Sequence, residues 1–154
     1  MGLAFQQGSH HMKYFILIST LVLNACSLIP SISISDTMSL IALTEENAPN
    51  GVRGTFKFQI KASGVKRGEV FLNTEVDYRD RRAITIALAP GVVSEFTHRY
   101  GASPDTYFVD KYIEVSGEAK RIRIDFISRG RMTNKYYYQT HINVTQLNQI
   151  RVLN

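Results

Sequence analysis

The sequence predicts an all-β domain, five or six strands closing a small antiparallel barrel with one short helix between strands three and four. Three observations carry that reading. From Gly51 onward apolar side chains recur at every second residue, the period of strands with one buried face. The segment 91–100 is the best helix candidate, with apolar residues near helical spacing. The chain also holds a single cysteine, so no disulfide staples it, and closing the sheet on itself is a way to remove exposed edges.

Each element follows in order. Phe56, Phe58 and Ile60 alternate with Lys57, Gln59 and Lys61 in the first strand. Gly64 to Gly68 reads as a turn rich in glycine and cations. Val70, Leu72, Thr74 and Val76 mark the second strand, and Tyr78 to Arg82 a charged loop. Ile84, Ile86 and Leu88 form the third, stopped by Pro90-Gly91. Val92, Val93, Phe96 and Tyr100 define the helix, which Gly101 ends. Ser103-Pro104-Asp105 opens a short turn, helical through Phe108. Tyr112 to Ser116 resumes as strand, with a bend or bulge expected at Gly117 before Ile122, Ile124 and Phe126. Ser128 to Asn134 reads as a loop, and Tyr136, Tyr138, Thr140, Ile142 and Val144 as one face of the next strand. Ile150 and Val152 close the chain. The helical link is the only long connection, so every sequential pair of strands is expected to be antiparallel.

The N-terminal quarter differs. Residues 1–11 lack apolar periodicity, and Gly8-Ser9-His10-His11 reads as a tag or over-extended start, with no metal role for its histidines. From Met12, Lys13 precedes the apolar run Tyr14–Leu23, and Leu23-Asn24-Ala25-Cys26 follows. The run is shorter than the roughly 20 residues needed to span a bilayer. These residues resemble a bacterial lipoprotein signal. The resemblance implies a leader over 12–25, cleavage before Cys26, acylation of its thiol and a lipid anchor to a membrane. Ser27, where aspartate would favour the inner membrane, points to the periplasmic face of the outer membrane if the source is Gram-negative. Residues 26–50 then read as the lipidated cysteine and a flexible tether, within which Ser31 to Ser35 alternates as a strand able to add to a sheet edge. The folded domain spans 51–154.

The formal charge is +5, and the first 25 residues contribute only Lys13, leaving +4 on the rest. That is mildly basic, short of the bias of a dedicated nucleic-acid binder, and suited to anionic head groups or acidic polymers.

Gly68-Glu69-Val70-Phe71-Leu72-Asn73-Thr74-Glu75, Tyr78-Arg79-Asp80, Tyr112-Ile113-Glu114-Val115-Ser116-Gly117-Glu118 and Gln149-Ile150-Arg151-Val152 resemble small bacterial OB-fold domains. The resemblance covers roughly 51–154. It implies a binding surface on the strand two to three face with its flanking loops, and so candidate contacts at Lys66, Arg67, Tyr78, Arg79, Arg81, Arg82 and the Ser128–Lys135 loop. The fold serves many unrelated functions.

Two constellations stand out. Tyr78-Arg79-Asp80-Arg81-Arg82 offers arginine forks for phosphate or carboxylate, against the plainer reading of a solvated turn shielded by Asp80. Arg121, Arg123, Arg129, Arg131 and Lys135 gather beside Tyr136, Tyr137 and Tyr138, the mixture of cations and rings that a single-stranded nucleic-acid platform needs. Alternation assigns Tyr136 and Tyr138 to the core with Ile142 and leaves Tyr137 outside. His98 and His141 have no partners at metal-ligand spacing, and no nucleophile–base order or phosphate loop occurs. The resulting expectation is a non-catalytic, lipid-anchored binding module of the bacterial cell envelope, without cofactor or metal, contacting a protein partner in an envelope assembly. The alternative is an oligosaccharide- or single-stranded nucleic-acid-binding OB-fold. The sequence leaves the oligomeric state open.

Overall fold

The computed structural model describes Gly2 and residues 32–153. Cys26 and the expected leader lie outside them. The described chain is mostly β, a curled eight-stranded sheet with few helices. In order the elements are β1 (Ile32–Ile34), α1 (Thr37–Glu46), β2 (Val52–Gln59), β3 (Ala62–Lys66), β4 (Glu69–Asn73), β5 (Ile84–Leu88), α2 (Pro90–Tyr100), α3 (Pro104–Tyr107), β6 (Tyr112–Ser128), β7 (Arg131–Val144), a 3-10 turn (Leu147–Gln149) and β8 (Ile150–Val152).

The strands lie in the order β1-β2-β6-β7-β5-β4-β3, with β8 also on β6. Strand β2, second in this path, and β3, at its far end, are joined in the chain, because only Ile60 and Lys61 separate them. At that corner the backbone changes partners. Ile60 N donates to Lys111 O beside β6, and Lys61 N donates to Asn73 O of β4. The curled sheet therefore encloses a core, in which Phe56, Ile60, Leu72, Ile84, Ile86, Leu88, Ile113, Val115 and Ile142 are fully buried. Helix α2 lays Val92 and Phe96 on it, and Phe96 meets Tyr107 and Phe108, each at 5.0 Å between ring centroids.

Several expectations are corrected. The sheet is not wholly antiparallel: β5 pairs with β7, and β1 with β2, in parallel. The helical connection carries the chain across before the β6–β7 hairpin, so β7 returns along β5, an arrangement that period-two spacing does not encode. The stretch Gly64–Gly68, read as a turn, is mostly strand β3, and the reversal is confined to Arg67-Gly68. No bend occurs at Gly117, where pairing with β2 runs unbroken. A Cβ there would lie 3.1 Å from Ile142 Cγ2, so close packing is what that glycine serves. The irregularity falls between Asp125 and Ile127.

The largest correction concerns the expected tether. Its second half is helix α1, capped where the Asp36 carboxylate accepts from Ser39 N at 2.9 Å. Leu40 is fully buried in the main core, and Thr44 Oγ1 lies 3.1 Å from Thr140 Oγ1 within it. The alternating segment just before it adds, as β1, to this chain's own sheet.

One feature positions the site. Strand β6 pairs with β2 only through Ala119, and β7 pairs with β5 only from Thr140 onward. Residues 121–128 and 131–139 therefore pair only with each other, as a two-stranded arm reaching about 25 Å beyond the enclosed core.

Candidate functional site

The face of β6 that carries Val115 and Ala119 in the core continues onto the arm with Arg121, Arg123 and Asp125. Across from it, the face of Ile142 continues through Thr140 to Tyr138 and Tyr136. Tyr136 and Tyr138 share the face of Ile142, as the alternation predicts, but that face is not buried on the arm. The core ends at Thr140, so Tyr136 and Tyr138 are 49% and 43% exposed instead of buried. Each lies under an arginine. The Arg121 guanidinium stands 3.7 Å from the Tyr138 ring centroid, and that of Arg123 4.2 Å from Tyr136. Cation–ring contacts of this kind are worth about 0.5–1 kcal/mol at exposed sites. They hold planar cations and planar rings in register along the arm.

Beside the arm lies the loop between β4 and β5. Its Tyr78 carbonyl accepts from the Gln139 side-chain amide, and Gln139 Oε1 accepts from His141 Nε2 at 3.0 Å. That relay docks the arginine loop against β7. Within the loop Asp77 accepts from Arg79 N and Nε, and Asp80 accepts from Arg82 N at 2.9 Å and from its guanidinium at 2.8 and 3.1 Å. The hydrogen bonds from the Arg82 side chain and backbone pull the Asp80 carboxyl down to about 2. Asp80 thus shields Arg82, as the plainer reading of the loop has it, whereas Arg79 is held by Asp77. That reading fails for Arg81, which is exposed and has no carboxylate within 4.0 Å among the described residues.

Loop, arm and α1 together line a cleft of about 890 Å³. It gathers Arg79, Arg81, Arg82, Arg121 and Tyr137 of the sequence-predicted residues. Arg121 has one loose acidic neighbour, Glu45 of α1 at 3.8 Å, and its buried Nε–H has no acceptor among the described residues. Tyr137 packs on Phe126 at 5.2 Å between centroids, and burial pushes its hydroxyl pKa up.

The remaining predicted residues lie elsewhere. Arg123, Arg129, Arg131 and Lys135 follow the arm outward, and Lys66 and Arg67 sit at the separate β3–β4 turn. Both reversals use Arg-Gly: Arg67 and Gly68 have φ of 54° and 83°, and Arg129 and Gly130 have 49° and 73°. Positive φ at both central residues matches the twist of a tight hairpin. Sequence reasoning missed α1, Tyr138 and Gln139. Asp36 ahead of a helical apolar run was the available signal for α1. Among the described residues no three His, Cys, Asp or Glu side chains form a metal-binding group.

No protein-family model and no curated protein sequence matches the chain. Among solved structures it is similar to an aspartyl-tRNA synthetase from Entamoeba histolytica, with TM-score 0.44 and 14% identity over 85% of this chain and 23% of that one. It is also similar to a candidate aspartyl-tRNA synthetase from Leishmania major Friedlin, with TM-score 0.42 and 10% identity over 84% of this chain and 22% of that one. The chain spans under a quarter of the length of each.

Proposed function

We propose that this chain is a non-catalytic binding module of OB type that takes single-stranded nucleic acid along the cleft and arm. The observation that carries the reading is the pair of exposed tyrosines, Tyr138 and Tyr136, each beneath an arginine and leading into a cleft lined by Arg81 and Arg82. Bases need flat apolar faces and phosphates need cations at their side, and the cleft and arm bring the two together. The OB assignment is supported by counting β2 and β3 as one bent strand. The ring then has five strands, with α2 between the third and the fourth.

The test is titration of fluorescent oligothymidylate at several salt concentrations. Binding to a single strand weakens with salt at a log–log slope of about −0.7 per phosphate neutralised. Arg81→Gln with Arg121→Gln is expected to flatten that slope by about 1.4 and to weaken binding at every salt concentration. Absence of binding at low salt, or a slope unchanged by the two substitutions, would falsify the reading.

A second reading, a lipid-anchored module contacting an envelope protein, is favoured by Lys13, the apolar run and Leu23–Cys26. It concerns address more than ligand. Cys26→Ser is expected to abolish incorporation of labelled fatty acid in expressing bacteria. Unchanged labelling would end it.

A further inference from the structure

The tip of the arm carries a surface that the nucleic-acid reading does not use. The bulge between Asp125 and Ile127 ends the Arg–Tyr pairs, and Ile127 then stands opposite Met132. They are 70% and 71% exposed, and Phe126 beside them is 43% exposed. Aliphatic side chains offer bases no flat face, so these positions add nothing to a stacking platform. The bulge is built, not frayed: Thr133 Oγ1 donates to Phe126 O at 2.9 Å and accepts from Lys135 N at 3.2 Å. Around the apolar pair stand Arg129, Arg131 and Lys135, and from Phe126 to Tyr138 there is no acidic residue. Among the described residues none of these three cations has a carboxylate within 4.0 Å. Arg129 keeps its charge at the apex despite a φ of 49°, a conformation that disfavours residues with a Cβ.

We propose that this tip is a membrane-docking finger, inserting Ile127 and Met132 into the interface of an anionic bilayer while Arg129, Arg131 and Lys135 meet its head groups. Three considerations select that occupant. Two exposed aliphatic side chains and a phenyl edge form a patch far smaller than the roughly 1,200 Å² of a stable protein interface, whereas a bilayer gains from each inserted side chain separately. The surrounding charge is of one sign and opposes a second copy of the same tip, yet complements anionic lipid, where each nearby cation strengthens attachment about fivefold. Tyr136 and Tyr138 follow on the same strand, and tyrosine is enriched at the depth where lipid meets water. The finger is distinct from acylation at Cys26 and would act whether or not that modification occurs.

The single cysteine makes the test direct. In the full chain with Cys26→Ser, a polarity-sensitive fluorophore is attached at Ile127→Cys, and in a parallel protein at Val65→Cys, a position 62% exposed on β3. Vesicles of phosphatidylglycerol in phosphatidylcholine are expected to shift the emission at 127 to the blue and leave 65 unchanged, with a much smaller effect from phosphatidylcholine alone. Ile127→Ser with Met132→Ser, which changes no charge, is expected to reduce the vesicle affinity of the unlabelled Cys26→Ser protein at least tenfold and to leave the salt slope of oligothymidylate binding unchanged. Equal responses at 127 and 65, or unchanged vesicle affinity in the double serine variant, would overturn the proposal. So would a response at 127 to oligothymidylate but not to vesicles, which would assign the tip to nucleic acid. Loss of oligothymidylate binding by the Arg81/Arg121 variant with vesicle docking retained separates the two surfaces.

Discussion

Gln139 connects the two halves of the cleft without carrying any charge. Its amide donates to Tyr78 O while its oxygen accepts from His141, which requires the His141 proton to sit on Nε2. The residue is 8% exposed, so truncation would leave polar groups at the buried foot of the arm without partners. Gln139→Ala is expected to cost about 1–3 kcal/mol of stability by denaturant titration. It is also expected to weaken oligothymidylate binding while leaving the salt slope unchanged, because no cation is lost. A flattened slope would show instead that the loop arginines had left the ligand. His141 is the neighbouring case. Burial holds its pKa below the usual histidine value, so the folded state resists the proton that the unfolded chain accepts. Stability is therefore full above pH about 6.5 and falls as pH drops below it toward the depressed folded value. A melting temperature that declines between pH 7.5 and 5, and declines less in His141→Gln, is the expected result.

At the scale of elements, α1 tests how far the folded unit extends toward the N-terminus. Leu40 is fully buried and Met38, on the same helix, is 51% exposed. Leu40→Ala is expected to destabilise by about 2–5 kcal/mol. Met38→Ala is expected to stay within about 0.5 kcal/mol. Equal, small effects would return the segment to the status of a tether. This helix also shows where legibility stopped. Its Asp36 cap and apolar positions are written in the sequence, but a lipid anchor nearby made a spacer the economical reading of the same residues. Helix α2, between Pro90 and Gly101, was legible because breakers bound it on both sides. The strands of the core were legible because one of their faces is buried along its length. On the arm the same alternation persists after the core has ended. Period alone therefore assigned Tyr136 and Tyr138 to the inside, and the arginines that cover them were visible only as a charge cluster.

For the whole molecule, what local pattern did not reveal was adjacency. Arg81 and Arg121 are forty positions apart in the sequence, and only the pairing of β7 beside β5 brings their elements to one cleft. Mild overall basicity concealed this, because most cations elsewhere are matched: Lys57 and Arg151 by Glu114, Lys61 by Glu75, Arg53 and Lys120 by Glu118. The corner at Ile60-Lys61 has a consequence of another kind. Because one continuous backbone serves as both the first and the last member of the ring, its length there is a parity constraint. A single inserted residue would leave β2 in place and turn every side chain of β3 to the opposite face. A two-residue insertion would preserve the faces and merely loosen the corner. Chain length in this domain is thus counted in pairs at Ile60-Lys61, while the Arg129-Gly130 apex, which closes nothing, is free to lengthen by one.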